Sequence, residues 1–137
     1  MLISDIYNAF PEELKENIIN TYVVSGYEDA IKENYKTTDK IYLLSTKEVW
    51  ENETSNKISH DTARELTRQL DYYKNLGVTT SKYLGAIKNY NGSATYWWLR
   101  SAYEAYGSTF YDVYDSGDWN NSNANYGCGV SVAFRIG

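Results

Sequence analysis

Three aspartates in the C-terminal part of the chain, Asp112, Asp115 and Asp118, follow one another at intervals of three residues. Carboxylates that converge in a loop are ligands for a hard divalent cation such as Ca²⁺. The D-x-x-D-x-x-D spacing, however, is not that of an EF-hand loop, and no bidentate Glu follows at the position that such a loop requires. Acidic side chains in loops are usually solvated. We therefore predict no metal site here.

The other reactive side chains give little support for catalysis. His60 is the only histidine, and it stands at the start of a predicted helix, where capping or solvent exposure is more common than general-base work. Without it no Ser–His–acid set can form, and the sequence has no glycine-rich phosphate loop. Cys128 lies between glycines, with no base or cation beside it in the sequence to lower its pKa. We expect a protein that is not an enzyme, with no catalytic residue and no cofactor.

Tyrosine is unusually frequent: the chain has fifteen, with four Trp and only three Phe. Residues 103–128 have an unusual composition as well, because fifteen of these twenty-six residues are Tyr, Asn, Ser or Asp and none is Lys, Arg, Gln, Leu, Ile, Met or Pro. Tyr supplies contact area at a low entropic cost, while Ser, Asn and Gly supply adaptable hydrogen bonds, as in antibody binding loops. This composition favours recognition over catalysis.

The elements that would position these side chains begin with two predicted helices. Ile3, Ile6 and Phe10 recur at helical spacing, and Pro11 begins a second short helix with the sequence PEELKENI. The segment NTYVVSGY is rich in β-branched and aromatic residues and is typical of a short strand.

A further strand and the longest helix are predicted next. The apolar run 41–44 is strand-like, and Ser45 with Glu48 fits a capping box that starts a helical turn. A long helix is predicted over HDTARELTRQLDYYKNLG, with Gly77 as its C-terminal stop. The apolar stripe of this helix is Ala63, Leu66, Leu70 and Tyr73.

Strands dominate the predictions for the rest of the chain. YWWLRS, STFYDVYDS and GVSVAFRIG are predicted strands. Helices followed by strands predict an α+β fold, with helices in the N-terminal half and a small antiparallel sheet with long loops in the C-terminal half. The length predicts one domain, 1–137, made of a helical scaffold half, 1–96, and a second half, 97–137.

The sequences WWLRS at 97–101 and GVSVAFRI at 129–136, with the Gly/Asn/Tyr-rich stretch between them, resemble the C-terminal half of bacterial and viral domains with the C-type lectin fold. FPEELKENI and TTDKIYLLSTKEVW fit earlier elements of that family, so the resemblance covers nearly the whole chain. The ending is similar to variable proteins of diversity-generating retroelements. In those systems a reverse transcriptase copies a template repeat with errors at adenines, and the product replaces the matching stretch of the target gene.

The resemblance also implies which residues vary. Changes at the adenines of AAC and AAT codons give Tyr, Asp, Ser, Cys and others, but never Lys, Gln, Glu, Met or Trp. Glu104 is therefore left outside the variable set. The residues that fit this alphabet and would form the variable, ligand-binding surface are Tyr103, Tyr106, Ser108, Tyr111, Tyr114, Asp118, Asn120, Asn121, Asn123, Asn125, Tyr126 and Cys128.

The resemblance assigns the remaining motif residues to the scaffold. These are Trp97, Trp98, Leu99, Arg100, Trp119, Val130, Val132, Phe134, Arg135 and Ile136. The apolar residues of the two flanking motifs, with Val130, Val132, Phe134 and Ile136 alternating, are expected in the core of the sheet. For Arg100 and Arg135 two alternatives stay open: partial burial with hydrogen bonds, or ordinary surface charge.

Two departures from the family pattern narrow the expected function. Calcium-dependent sugar-binding lectins use Glu-Pro-Asn and Trp-Asn-Asp motifs, whereas this chain lacks that proline and has Trp119-Asn120-Asn121. Calcium-mediated sugar binding is therefore not expected. The formylglycine-generating enzymes share the broad fold, but a single loop cysteine does not match their chemistry.

The expected partner is a macromolecule. A net charge of −5 without a basic stripe argues against nucleic acid, and no apolar run is long enough for membrane insertion. We expect a non-enzymatic domain whose diversified C-terminal surface binds a protein ligand or receptor of a host or cell surface. The alternative is a glycan partner, bound by a carbohydrate-binding module of a surface or phage structural protein. The resemblance implies a virion or cell-surface location, alone or within a longer protein.

Overall fold

The computed structural model of the chain describes residues 3–25, 35–51, 68–103 and 109–137. In these ranges strands make up most of the regular structure. The helices are α1 (Ile3–Asn8), α2 (Glu12–Asn17), α3 (Thr46–Val49) and α4 (Asp71–Asn75), with a 3₁₀ turn at Leu84–Ala86. The strands are β1 (Ile18–Ile19), β2 (Thr21–Ser25), β3 (Tyr35–Asp39), β4 (Tyr42–Leu43), β5 (Lys88–Tyr90), β6 (Ser93–Thr95), β7 (Trp97–Ala102), β8 (Thr109–Val113), β9 (Trp119–Asn123), β10 (Val132–Ala133) and β11 (Arg135–Ile136).

The central sheet consists of β7, β8 and β9 in that order, and all its pairs are antiparallel. Trp97 lies opposite Val113, and Asp112 lies opposite Asn120. The backbone of Gly129 extends this sheet beyond the other edge of β7, since its carbonyl accepts from the Trp98 amide at 3.0 Å. The sheet therefore has β9 at one edge and the segment around Gly129 at the other.

Smaller antiparallel pairs tie the rest of the chain together. β2 pairs with β3, and β5 pairs with β6 as a hairpin. Strands that are distant in sequence also pair, because β10 lies against β4 and β11 lies against β1. The first and last strands of the described chain thus meet, which brings its N- and C-terminal elements side by side.

The core lies on one side of the central sheet. Two buried indoles in it have their N–H groups satisfied: Trp50 donates to the Gly117 carbonyl at 3.0 Å, and Trp97 donates to the Ala86 carbonyl at 3.1 Å. The buried apolar residues that pack together are Leu44, Val49, Trp50, Tyr73, Val78, Ala86, Trp97, Leu99, Tyr111 and Val113. The core therefore joins α3, α4 and the 3₁₀ turn to the central sheet.

Several local predictions are confirmed. The Ser45 hydroxyl accepts from the Glu48 amide at 3.4 Å and the Glu48 carboxylate accepts from the Ser45 amide at 3.1 Å, which is the predicted capping box at the start of α3. α2 begins directly after Pro11, and β2 covers residues 21–25 of the NTYVVSGY segment, whose last two residues lie outside the described ranges. The capping box and the helix start at Pro11 depend on residues within four positions along the chain, so they do not require particular tertiary contacts.

The predicted fold class is wrong. The N-terminal half contains β1 to β4, and its described helices are only four to six residues long, so the protein is richer in strands than an α+β lectin fold with a helical N-terminal half. The reason lies in strand pairing. β-Branched and aromatic residues of the first half find antiparallel partners that are distant in sequence, and tertiary pairing overrides local helical spacing.

The predicted long helix differs as well. Residues 60–67, including His60 and part of its apolar stripe, lie outside the described residues. Leu70 has extended backbone angles, φ −67° and ψ 143°, and its amide donates to the Glu48 carbonyl at 2.9 Å. Helix α4 therefore starts only at Asp71. Gly77, at φ 69°, lies just beyond its end, as predicted for a stop.

The prediction of one continuous strand over GVSVAFRIG is also wrong, because two short strands, β10 and β11, lie there instead. Val130, Val132, Phe134 and Ile136 were expected to alternate into the core, but Val130 is 52% exposed and Ile136 is 63% exposed. The chain changes partner in this stretch, from β4 at β10 to β1 at β11. Because the strand breaks at Phe134, a single period of two does not continue through it.

Candidate binding face on the central sheet

One face of the central sheet is turned away from the core, and we call it the outer face. Tyr111 and Val113 of β8 are fully buried in the core. Since side chains alternate along a strand, Phe110 and Asp112 point to the opposite face. The residues that share the outer face through this alternation, the strand register and direct contact are Tyr96, Trp98, Phe110, Asp112, Tyr114, Asn120 and Ser122.

Residues 124–128 cross the outer face, and we call them the crossing loop. β9 ends at Asn123 on one edge of the sheet, whereas Gly129 pairs with β7 at the other edge. Ala124 lines a groove together with Trp98 and Phe110, and the Cys128 thiol approaches Asp112, which shows the side on which the loop passes. The crossing loop therefore covers part of the sheet and displays its own residues above it.

The Asp112 carboxylate lies under this loop and is fully buried. The Asn120 amide donates to its two oxygens at 3.3 and 3.2 Å, and the Ser122 hydroxyl donates at 3.2 Å. The Cys128 thiol approaches at 4.0 Å. We call these four residues the Asp112 cluster. Burial raises the pKa of Asp112 above its ordinary value, and the hydrogen bonds from Asn120 and Ser122 oppose that shift.

Cys128 is held as a thiol in this cluster. Burial and then the nearby Asp112 carboxylate raise its pKa to about 12. A thiolate is the nucleophilic form of cysteine, so this environment disfavours covalent chemistry at Cys128. The Asp112 cluster is thus a hydrogen-bonding arrangement that shapes the outer face.

An aromatic groove lies beside the Asp112 cluster. Its volume is about 330 Å³, and its lining includes Trp98, Phe110, Leu43 and Ala124. Trp98 lies opposite Asp112, so the apolar groove and the polar cluster adjoin. A ligand on this face would meet ring surfaces and hydrogen-bonding groups side by side, as in many binding sites.

Three tyrosines form a cluster at the other end of the outer face. The Tyr96 ring lies 4.6 Å from the Tyr114 ring and 6.2 Å from the Tyr126 ring, measured between centroids. Tyr114 is 39% exposed and Tyr126 is 55% exposed. A hydrogen bond with Tyr114, followed by desolvation, raises the pKa of Tyr96 above the usual tyrosine value. This tyrosine cluster is an aromatic surface in contact with solvent.

The structure distributes the predicted variable residues over several environments. Four of them lie on the outer face or the crossing loop in the two clusters: Tyr114, Asn120, Tyr126 and Cys128. Asn125 is exposed on the crossing loop, and Asn123 is exposed at the end of β9. The remaining positions at this edge are Asp118, whose carboxylate accepts from the Trp119 amide at 2.8 Å, and half-buried Asn121. Tyr106 and Ser108 lie outside the described residues.

Tyr111 does not belong to a binding surface, so its assignment to the variable set is wrong. Its side chain is fully buried, and its ring packs against Tyr103 at 5.2 Å and Trp119 at 6.0 Å. Tyr103 is half-buried against the same core. The alternation of β8 decides this placement, because an odd-numbered position on this strand faces inwards.

The predicted scaffold residues also lie in different environments. Trp97 and Leu99 are fully buried, whereas Trp98 is half-buried on the outer face. Trp119 packs partly against the core, and Phe134 packs against Phe10 at 5.6 Å between ring centroids. Val132 is half-buried in β10.

The two arginines have different environments. Arg100 is half-buried, donates to the carbonyls of Val24 and Leu43, and pairs with Glu48. Arg135 is exposed. The alternative of partial burial with hydrogen bonds thus holds for Arg100, and that of surface charge holds for Arg135.

Sequence reasoning missed Tyr96, Phe110 and Asp112 as parts of this face. A signal was available for them, since Tyr96 precedes Trp98 by two residues and Phe110 precedes Asp112 by two. The alternation of side chains along a strand assigns residues two positions apart to the same face of the sheet. Alternation alone does not show which of the two faces is turned towards the core.

The regularly spaced aspartates have different environments. Asp112 lies inside its own cluster, and Asp118 accepts from the backbone amide of Trp119 at the start of β9. Among the described residues, no group of three His, Cys, Asp or Glu side chains is placed to hold a metal ion. Within the same ranges, none of the helices has the length and apolar character needed to cross a bilayer.

Comparisons with known proteins identify a family. No match to the chain is found among curated proteins or among solved structures. A family described as Domain of unknown function (DUF6273) matches residues 2–137, which is nearly the whole chain. The protein therefore belongs to the DUF6273 family.

Proposed function

We propose that this protein is a non-enzymatic recognition domain that binds a macromolecular partner, a protein ligand or receptor, through the outer face and the crossing loop. The observation that carries this proposal is the tyrosine cluster, in which Tyr114 and Tyr126 are exposed while they rest against Tyr96. Exposed aromatic side chains on a rigid support supply much of the energy at protein interfaces. The adjoining Asp112 cluster and aromatic groove add polar and apolar contacts to the same face.

The charge of this region supports a partner with a basic surface. Residues 101–134 contain no Lys, Arg or His, and among their described acidic side chains Asp115 is exposed and Asp118 is half-buried, whereas Asp112 is buried. Complementary charge steers association and suppresses wrong partners. We expect binding to weaken with increasing salt, because exposed charges are screened over about 10 Å at 0.1 M ionic strength.

Diversification by a retroelement is the second part of the proposal. The alphabet of residues 103–128 supports it, and the positions concerned are those on the surface, which include Tyr114, Asn120 and Tyr126. Buried Tyr111 is excluded. The test is the neighbouring DNA. A reverse-transcriptase gene together with a near-copy of the codons for residues 97–137, differing only at adenines, is the expected finding, and silent third-position differences without such a gene would contradict it.

A glycan partner is the second candidate, and the aromatic groove favours it. Trp98 and Phe110 line this groove, and Asn120 and Ser122 lie next to it. Aromatic rings beside amide and hydroxyl groups suit the alternating apolar and polar surfaces of a sugar. A glycan array, probed with and without calcium, distinguishes this candidate from a protein partner.

The recognition surface is tested with the tyrosine cluster. Wild type, the double variant Y114A/Y126A and the control Y72A are each applied to an array of cell-surface ectodomains and glycans. Tyr72 is an exposed tyrosine of α4, outside the outer face. We expect at least one array partner to bind wild type and Y72A, and to bind the double variant about tenfold or more weakly, which corresponds to 1.4 kcal/mol or more.

Stability measurements complete this test. The double variant should keep a Tm close to that of wild type, because its rings are exposed, whereas Y111A should lower it sharply by leaving a cavity in the core. Equal binding by wild type and the double variant, or unfolding of the double variant, would contradict the proposal.

A further inference from the structure

A second cavity, away from the tyrosine cluster, lies between β2, β4, α3 and β11, and we call it the arginine pocket. Its volume is about 500 Å³. Three of the four arginines in the chain, Arg68, Arg100 and Arg135, line it. The net charge of the protein is −5, so three guanidinium groups around one cavity form a local basic region in an acidic protein.

The carboxylate described in the lining of the arginine pocket is already paired with an arginine. Among the described lining residues Glu48 is the only carboxylate, and it pairs with Arg100. Arg100 also donates to the carbonyls of Val24 at 3.2 Å and Leu43 at 2.9 Å, so its guanidinium joins structural elements. The remaining positive charge of the pocket therefore comes from the other two arginines.

Among the described residues, Arg68 has only an exposed ion pair and Arg135 has none. Arg68 contacts Asp71 at 3.2 Å, but both side chains are largely exposed, and such pairs contribute little. Arg135 makes no ion pair within the part of the chain that the structure describes. Two guanidinium groups are thus available to an anion that enters the pocket.

The walls of the pocket suit a ring. Tyr22 is an exposed lining residue, and Tyr42 lies under the Arg100 guanidinium, 5.9 Å from ring centroid to the central carbon. Planar guanidinium groups bind the oxygens of carboxylates, phosphates and sulfates in pairs. A volume of about 500 Å³ lies within the usual range of small-ligand sites.

We propose that the arginine pocket binds a small ring-bearing oxyanion, of the size of an acidic or phosphorylated monosaccharide. Arg135 and Arg68 neutralise the anionic group. Tyr22 and Tyr42 contact the ring. Arg100 lines both this pocket and the aromatic groove, so the two cavities adjoin, but the proposed anion site does not depend on the function proposed for the outer face.

The test uses three matched sugars: glucuronic acid, glucose 6-phosphate and glucose. Each is titrated into the full chain by isothermal calorimetry, and its effect on Tm is measured. We expect saturable binding and a raised Tm for at least one of the charged sugars and none for glucose, since glucose lacks the oxyanion. The two charged sugars distinguish a carboxylate ligand from a phosphate ligand.

Two variants locate the site. R135Q removes one guanidinium group that lines the pocket and should weaken binding of the charged sugar roughly tenfold. R68Q removes the second one and should also weaken binding, while the loss of its exposed pair with Asp71 leaves the fold intact. The control K74Q changes net charge by the same amount as R135Q, at an exposed residue of α4 outside the pocket.

Failure of both charged sugars to bind saturably is one result that would overturn this proposal. Equal weakening by R135Q and K74Q is another, because it would show a general charge effect. Unchanged binding in both R135Q and R68Q would place the anion elsewhere.

Discussion

At the scale of single residues, neighbouring side chains in β8 and just beyond it have opposite roles. Tyr111 is fully buried in the core, and Asp112 is fully buried under the crossing loop, whereas Tyr114 is partly exposed in the tyrosine cluster. Asp112 is the least expected of the three, because a carboxylate is rarely buried without a cation beside it. Donors from Asn120 and Ser122 take the place of that cation.

Asp112 should make stability depend on pH. Its folded-state pKa is raised, chiefly by burial, so the folded protein holds this proton more tightly than the unfolded chain does. The contribution of Asp112 to stability is therefore highest when it is protonated, and it falls as pH rises from about 4 through the folded-state pKa. D112N removes this titration. The free energy of unfolding of D112N minus that of wild type should thus increase with pH.

Urea unfolding of both proteins between about pH 4 and pH 7 measures this difference. The amide of D112N keeps a similar shape, and Asn120 can turn its own amide to match it. A difference that stays constant or decreases with rising pH would show that burial does not raise the pKa of Asp112.

At the scale of elements, the turn between β8 and β9 is set by one glycine. Gly117 has φ 90°, and a Cβ at this position would lie 2.1 Å from the Tyr83 carbonyl oxygen. Its own carbonyl accepts from the buried Trp50 indole at 3.0 Å. The turn is therefore fixed both by its backbone conformation and by its contact with the core, and this fixes the register of β9 on β8.

We expect G117A to lower the free energy of unfolding by about 2 kcal/mol or more, because it combines an unfavourable φ with a backbone clash. The matched control is G127A in the crossing loop. Nothing lies within 4 Å of a Cβ at Gly127, and its φ is not in the left-handed region. G127A should therefore change stability by less than about 0.5 kcal/mol. Similar losses in the two variants, by urea unfolding, would contradict this role of Gly117.

At the scale of the whole molecule, Arg100 connects elements that are distant in sequence. From β7 it reaches the carbonyl of Val24 in β2, the carbonyl of Leu43 in β4 and the carboxylate of Glu48 in α3. The terminal strands β1 and β11 add a second long-range connection. Since the described helices are short, these connections and the core determine how the small sheets fit together.

We expect R100Q to lower the free energy of unfolding by about 3 kcal/mol or more, because it removes the arginine that pairs with the buried Glu48 carboxylate and donates to two carbonyls. R68Q breaks the exposed pair with Asp71 and should cost less than about 1 kcal/mol. Thermal and urea unfolding compare the two variants. Equal losses would show that Arg100 contributes no more than an ordinary surface charge.

The sequence alone determined the features that depend on a few neighbouring residues. The Ser45–Glu48 capping box, the helix after Pro11 and the stop at Gly77 follow from backbone hydrogen bonds and φ preferences within about four residues. The aromatic and polar composition of residues 103–128 was also visible in the sequence, although composition does not show which rings are exposed.

Only the tertiary structure decided the rest. Tyr111 and Tyr114 are the same residue type three positions apart, and their different placement depends on which face of the sheet meets the core. The change of partner between β10 and β11 and the convergence of three arginines on one pocket likewise depend on residues far apart in the chain. The physical reason is that strand pairing and burial are set by long-range contacts, and local propensity does not specify them.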